Sequence, residues 1–109
     1  MMTRDYYILG VDVGTTATKA TLFDLKGRTV AITTEEYELV TPKTLEVEVE
    51  IETLWLSFKK GVTNVLRRSK VRPENVKAIG FSVQGETLVP IAKNGRPLRR
   101  AIVWLDNRA

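Results

Sequence analysis

The chain has 109 residues, 43% hydrophobic and 28% charged, the balance of a folded domain rather than a disordered tail or a collagen-like rod. It contains no cysteine and no histidine, which removes disulfide frameworks, thiol nucleophiles, serine–histidine machinery and most zinc sites. Its net charge of +4 is uneven: residues 1–60 carry seven Lys/Arg against ten Asp/Glu, and residues 61–109 carry ten against three. A basic half suits either a polyanion or a solvated surface. No aromatic residues are interleaved with these charges, so no nucleic-acid partner is expected. No apolar run approaches the roughly 20 residues of a spanning helix, and Met1–Asp5 lead into an apolar run without a visible leader. No membrane partner is expected, and the expected location is cytoplasmic. The length suits one domain or part of one, burying roughly 65% of the unfolded surface.

Tyr6–Val13 (YYILGVDV) is nearly continuously apolar and ends on an aspartate, the pattern of a strand buried on both faces. Gly14-Thr15-Thr16 forms a turn of small residues. Ala17–Asp24 alternates, with Thr18, Ala20, Leu22 and Asp24 on one side and Lys19, Thr21 and Phe23 on the other. Leu25–Arg28 is a second turn, with Gly27 free to adopt positive φ. Thr29–Tyr37 is rich in β-branched residues and reads as a third strand. The first 37 residues therefore predict a three-stranded antiparallel meander. Residues 38–50 are acidic and broken by Pro42, and Leu45–Val49 alternates like a short edge strand.

From Ile51 or Glu52 the pattern turns helical. Leu54, Trp55, Phe58, Val62, Val65 and Leu66 form one apolar stripe, and Lys59, Lys60, Arg67 and Arg68 mostly lie off it. Gly61 costs the middle of this helix about 1 kcal/mol. Arg72-Pro73-Glu74-Asn75 ends it. Val76–Val83 is predicted as a fourth strand and Thr87–Ala92 as a fifth. Lys93–Arg96 is predicted as an Asn-Gly hairpin turn and Ala101–Trp104 as a short sixth strand. Meander, helix, parallel strand and hairpin is an α/β order in which the helix crosses back over the sheet.

The Asp12-Val13-Gly14-Thr15-Thr16 stretch has the chemistry of a phosphate cradle. Gly14 lets the backbone approach closely, and the amides and hydroxyls of Thr15 and Thr16 suit phosphate oxygens. Asp12 can hold Mg²⁺ through water, and Lys19 can reach back as a point charge. A P-loop is excluded, because no helix follows the glycine and no terminal Gly-Lys-Ser/Thr is present. A plain β-hairpin turn could carry the same residues.

Three stretches, in order over almost the whole chain, carry a resemblance. Ile8–Asp24 (ILGVDVGTTATKATLFD) resembles the first phosphate motif of the actin-like ATPase superfamily, specifically of the FGGY carbohydrate kinases. Val76–Glu86 (VKAIGFSVQGE) resembles the family's fourth strand and its Gln-containing sugar loop. Gly95–Leu98 with Ala101–Ala109 (AIVWLDNRA) resembles the Gly-x-Pro-Leu…Ala-Ile-x-Trp-x-Asp-x-Arg stretch that follows, closest to the xylulokinase-like branch. The resemblance implies a ribonuclease-H-like (actin-like ATPase) fold, with residues 1–109 forming the N-terminal part of the first kinase domain. It implies transfer of the γ-phosphate of ATP, with Mg²⁺, to a hydroxyl of a small sugar, D-xylulose being the first candidate. ATP and Mg²⁺ would fall to Asp12, Gly14, Thr15, Thr16 and Lys19.

Sugar contact would fall to Gln84, Gly85, Glu86, Trp104, Asp106 and Arg108. Gln84 and Glu86 offer hydrogen-bonding groups to hydroxyls, and Trp104 offers a flat apolar wall. Asp106 and Arg108 can pair to fix the loop or reach the substrate. The pattern departs from its relatives at Gln84-Gly85-Glu86, where glycerol kinases resemble Gln-Arg-Glu and xylulokinases Gln-Met-His-Gly. Another pentulose, a polyol or an aldonate therefore stays open as the substrate. The family's general-base aspartate and second phosphate motif would lie beyond residue 109. The chain alone is accordingly expected to be inactive and to bind ATP·Mg²⁺ weakly or not at all. In the family's strand order 3-2-1-4-5 the last strand would be missing, so Val76–Val83 is expected to be an uncovered edge that recruits a second copy, there or through the 87–104 hairpin. A filament- or chaperone-type ATPase, a ribonuclease-H-like nuclease and a plain structural module are the competing classes.

Overall fold

A computed structural model describes residues 5–109, so the reading of Met1–Arg4 as free of a leader lies outside the described residues. The meander forms as expected, but its first strand is buried on one face only: Leu9 and Val11 are buried, whereas Ile8 and Asp12 on the other face are exposed because the helix covers a single side of the sheet. β1 (Tyr7–Val13), β2 (Ala17–Asp24) and β3 (Thr29–Glu36) pair antiparallel in succession. A helix, α1 (Ile51–Ser69), then crosses to β5 (Val76–Val83), which pairs parallel with β1. The sheet order is β3-β2-β1-β5.

Alternation along the strands decides which face α1 covers. Leu9 and Val11 of β1, Thr18, Ala20 and Leu22 of β2, and Ala31 and Thr33 of β3 are all buried on one face. The predicted apolar stripe packs on the core through Phe58, Val62, Val65 and Leu66, but of these only Val65 lies on the most buried line of the helix. Its buried line is Ser57, Gly61 and Val65, one residue per turn. The Ser57 and Thr18 hydroxyls lie 2.8 Å apart in the interior, and Thr33 Oγ1 donates to the Gly61 carbonyl at 2.9 Å. A Cβ at Gly61 would stand 3.4 Å from the Ala20 Cβ. Small groups meet small groups here, so the helix axis lies close to β2. The helix interior thus keeps a glycine for packing, despite its propensity cost. Phe58, Val62 and Leu66 flank this seam, whereas Trp55 is about half exposed and stacks on Phe58 with ring centroids 5.5 Å apart. Lys70 closes the helix in the left-handed region at φ 61°, its amide donating to the Leu66 carbonyl.

The rest of the chain departs from the reading of its strands. The predicted edge strand at Leu45–Val49 shrinks to β4 (Glu48–Val49), because Leu45 turns the backbone at φ 73°. The predicted sixth strand shrinks to β6 (Ala101–Ile102), paired antiparallel with β4. Thr87–Ala92 is not a strand. It makes only isolated bridges, Leu88 to Ile102 and Ile91 to Pro97. Pro90 sits in its middle with no N–H to give a ladder, although its carbonyl accepts from Leu98 N–H at 2.9 Å. The Asn-Gly turn does form, with Gly95 at φ 85° and Ala92 N–H donating to the Arg96 carbonyl.

A second small core of Val49, Ala101 and Val103 lies under this irregular region. Two cores side by side explain a radius of gyration of 16.7 Å, against about 13 Å for a compact chain of this size. β5 has no neighbour on its outer side among the described residues, and Ile79, Phe81 and Val83 on it are about half exposed or more.

The second core is tied together by charge. Glu48 is buried and accepts from Arg99 at 2.6 Å, Arg100 at 3.3 Å and Arg108 at 2.8 Å. Asp106 accepts from Val47 N–H at 2.6 Å and from Arg108 through its backbone, Nε and Nη2. Hydrogen bonds from Arg108, reinforced by its charge, hold both carboxyls below the usual range. A carboxyl whose folded pKa is depressed stabilises the fold above its unfolded pKa of about 4, and that contribution disappears as pH falls through the folded value. Urea midpoints followed by circular dichroism should therefore fall steadily as pH is lowered from 5 to 2. Glu48→Gln should lower the midpoint at pH 7, because three guanidinium groups lose their shared anion, and should flatten the acid limb. An unchanged acid limb in this variant would show that the cluster does not carry the pH dependence.

Candidate functional site

β1 and β5 run parallel, so their carboxyl ends emerge on the same side of the sheet, the position where open α/β sheets place their ligands. Register sets Asp12 of β1 opposite Lys19 of β2 and Ser82 of β5. The chain leaves β1 through Gly14, whose amide donates to the Ala17 carbonyl at 2.9 Å and closes the turn. A Cβ at Gly14 would stand 3.1 Å from that same carbonyl oxygen, so the tightness of the turn depends on glycine.

The Gly14 carbonyl is held from two sides. Gln84 Nε2 donates to it at 3.0 Å from the end of β5, and the Tyr37 hydroxyl donates to it from the end of β3. Tyr37 N–H also donates to the Thr16 carbonyl at 2.9 Å. Burial raises the Tyr37 phenol pKa, with the Asp12 charge adding to it and a bond with Thr18 opposing it. Tyr37 therefore stays a neutral donor at physiological pH. Sequence reading missed this residue as part of the site. The signal was the register of the meander, which carries β3 one residue past the Ala17–Glu36 pair and beside the turn.

A cleft of about 560 Å³ opens between the turn and the end of β5. Of the residues singled out from sequence, Asp12, Gly14, Thr15, Gln84, Gly85, Glu86 and Trp104 line it, together with Ser82 and Val83. Trp104 reaches across 89 positions of sequence to donate its indole N–H to Thr15 Oγ1 at 2.8 Å. Glu86 holds φ 60°, a left-handed conformation that costs a non-glycine residue roughly 1 kcal/mol, and such outliers cluster at ligand sites.

The remaining candidates lie elsewhere. Lys19 lines an adjoining cleft of about 440 Å³ on the sheet face away from α1, and Asp12 and Ser82 border both clefts. Thr16 is exposed, with its carbonyl taken by Tyr37. Asp106 and Arg108 pair with each other, and Arg108 also pairs with Glu48, which fixes the loop that carries Trp104. No cluster of three or more metal-ligating side chains occurs among the described residues. The exposed Asp12 carboxylate fits the hydrated style of Mg²⁺ binding, in which one or two carboxylates share the ion with phosphate oxygens. Among the described residues no helix is long and apolar enough to cross a membrane.

Comparison with known proteins agrees with this arrangement. Residues 7–109 match the model of the N-terminal domain of the FGGY family of carbohydrate kinases. A glycerol kinase of Beutenbergia cavernae is 39% identical over 103 residues, which is 94% of this chain and 20% of that protein. Gluconate kinase from Lactobacillus acidophilus superposes with a TM-score of 0.88 at 30% identity, over 95% of this chain and 20% of its own. The ligand-bound xylulose kinase from the same organism superposes with a TM-score of 0.86 at 30% identity, over 94% and 20%. The chain thus spans about a fifth of the length of the relatives it matches. With the Gly14–Thr15 turn and the Gln84–Glu86 loop at the carboxyl ends of two parallel strands, and with the family model matched over residues 7–109, the chain belongs to the FGGY family of carbohydrate kinases and has the fold of the corresponding part of their actin-like ATPase architecture.

Proposed function

We propose that this chain is the N-terminal part of an ATP-dependent sugar kinase, which transfers the γ-phosphate of ATP to a hydroxyl of a ketose or related sugar. The observation that carries the reading is the single cleft shared by the Gly14–Thr15 turn and the Gln84–Glu86 loop. Phosphoryl transfer needs little covalent chemistry from the protein, so positioning and charge do most of the work.

In this reading the amides of Thr15 and Thr16 and the Thr15 hydroxyl donate to phosphate oxygens. Lys19 supplies a positive charge from the neighbouring strand. Asp12 would hold Mg²⁺, which when bound would supply neutralisation of the phosphate charge. On the sugar side, Glu86 accepts from one or two hydroxyls. Gln84 already gives one N–H to Gly14 and accepts from Thr87, which leaves a second N–H and a lone pair for the sugar. Gly85 keeps the loop free of a side chain, and Trp104 forms the apolar wall. Asp106 and Arg108 act behind that wall by holding its loop. One side of the nucleotide is present in these residues, so the chain alone binds ATP·Mg²⁺ weakly and does not turn it over. A cytoplasmic setting, where ATP is supplied, belongs to the same proposal.

The bare β5 edge supports a further element of the reading: two copies pairing through it. Its apolar row of Ile79, Phe81 and Val83 is broken by no charge on that face. Sedimentation equilibrium of the chain at high micromolar concentration should fit a dimer, and a monomer at all concentrations would reject this element.

The substrate reading is tested on the gene's full product, by coupling ADP release to D-xylulose, glycerol and D-gluconate in parallel. Turnover with D-xylulose at the highest kcat/KM supports the favoured acceptor. Preference for glycerol or gluconate moves the assignment within the family, and sugar-independent ATP hydrolysis alone rejects it. Glu86→Gly should separate binding from stability. Glycine relaxes the left-handed backbone and should stabilise the fold by roughly 0.5–1 kcal/mol in urea unfolding. Loss of the carboxylate should raise the sugar KM at least tenfold.

A further inference from the structure

The bond between Trp104 and Thr15 joins the two halves of the cleft, and its direction is fixed by chemistry. An indole N–H donates and never accepts. At 2.8 Å it therefore occupies Thr15 Oγ1 as an acceptor. The hydroxyl's single proton must then be donated elsewhere, and no acceptor for it occurs among the described residues. Thr15 lines the cleft. With one of the hydroxyl's two lone pairs taken by the indole, its proton is directed away from Trp104 and is left for a group in the cleft, a donor that suits an anionic oxygen.

Trp104 itself is held rigidly. Its backbone N–H donates to Thr87 Oγ1 at 3.3 Å, Thr87 donates to Gln84 Oε1 at 2.9 Å, and Gln84 donates to the Gly14 carbonyl at 3.0 Å. With the indole bond these form a closed ring from Gly14 through Gln84, Thr87 and Trp104 to Thr15. Behind the ring, Asp106 N–H donates to the Val103 carbonyl at 2.8 Å and Arg108 ties the loop to Glu48. The ring face of the half-exposed indole remains open to the cleft.

We propose that Trp104 is a positioning residue for the phosphate turn: its indole N–H orients the Thr15 hydroxyl toward a phosphate oxygen. The inference rests on the kinase reading of the cleft. It adds that the side chain forming the sugar wall also sets the donor on the phosphate side. Packing against the indole fixes the N–H, and the N–H keeps the Thr15 proton turned away from the indole. The two substrates therefore favour each other's binding, and the coupling is reciprocal.

The test uses the 109-residue chain, labelled with ¹⁵N and titrated with MgATP and, separately, magnesium tripolyphosphate to about 20 mM, a range that reaches the millimolar binding of one-sided sites. Trp55→Phe assigns the Trp104 indole signal. That signal should shift in Thr15→Val and persist in Thr15→Ser, which keeps the hydroxyl. MgATP should move the Gly14 and Thr15 amide signals together with the Trp104 indole signal. Trp104→Phe keeps an apolar wall and loses the donor, and should weaken MgATP about 3–10-fold, as expected for one lost hydrogen bond. Thr15→Val should weaken it by a similar factor, and the double variant should be no weaker than the weaker single.

Multiplying losses in the double variant, or an indole signal indifferent to Thr15→Val, would overturn the inference while leaving the phosphate turn intact. Gly14 and Thr15 signals that stay still in the unaltered chain would instead reject the phosphate-turn reading, and this inference with it. If Trp104→Phe disturbs the β1 and β2 amide pattern, the Thr15→Val and Thr15→Ser pair gives the same comparison with a smaller change.

Discussion

The parallel pairing of β1 with β5 is the constraint on which the site depends. It is a long-range contact, made across the length of α1, and it sets Asp12 beside Ser82 and Val13 beside Val83. One residue further, Gln84 N–H donates to the Val13 carbonyl at 2.9 Å and the Gln84 side chain meets the Gly14 carbonyl. A slip of one residue in this ladder would turn Ile79, Phe81 and Val83 to the opposite face and move Gln84 away from the turn. What holds the register is the α1 face. Leu9 and Val11 are buried only if they point at the helix, and the small seam of Ser57 and Gly61 fits only over Thr18 and Ala20.

The polar groups of the site are arranged as a chain of dependence. Gly14 is tight because Ala17 closes its turn, and its carbonyl is anchored because Gln84 and Tyr37 both donate to it. Gln84 is oriented by Thr87, which also meets Trp104. Trp104 stands where it does because Asp106, Arg108 and Glu48 fix its loop. Buried or half-buried polar groups are costly when unpaired and rigid when fully paired. No buried side-chain nitrogen or oxygen lacks a partner among the described residues. This arrangement lets a small chain with two modest cores hold a defined cleft.

The ion cluster around Glu48 and the cleft divide the charged residues between two tasks. The basic excess of residues 61–109 has part of its explanation here. Arg99, Arg100 and Arg108 are spent on Glu48, Glu50 and Asp106 of the acidic segment and its partner loop. That use of arginine is structural, since each guanidinium carries several donors in fixed directions and can bridge carboxylates on different segments. The left-handed backbone at Glu86 is a different use of energy: a residue held in a costly conformation beside the cleft, where a glycine would be easier to fold.

Local order was legible in the residues themselves. Alternation in Ala17–Asp24 named the faces of β2 correctly, the apolar run ending at Asp12 located β1, and the helical spacing after Glu50 located α1. These signals are short-range, because a side chain's direction in a strand or helix repeats every two or 3.6 residues whatever lies beyond. Three features needed the folded chain. Pro90 and Leu45 cut the late strands down to fragments, because a strand exists only where a partner completes its ladder. Tyr37 entered the site, and Asp106 and Arg108 fell outside the cleft, because each took the partner that the packing of distant segments brought within reach. Trp104 met Thr15 across 89 positions of sequence. Periodicity and composition say which way a side chain points along its own element, while which group it meets is decided by how those elements close upon one another.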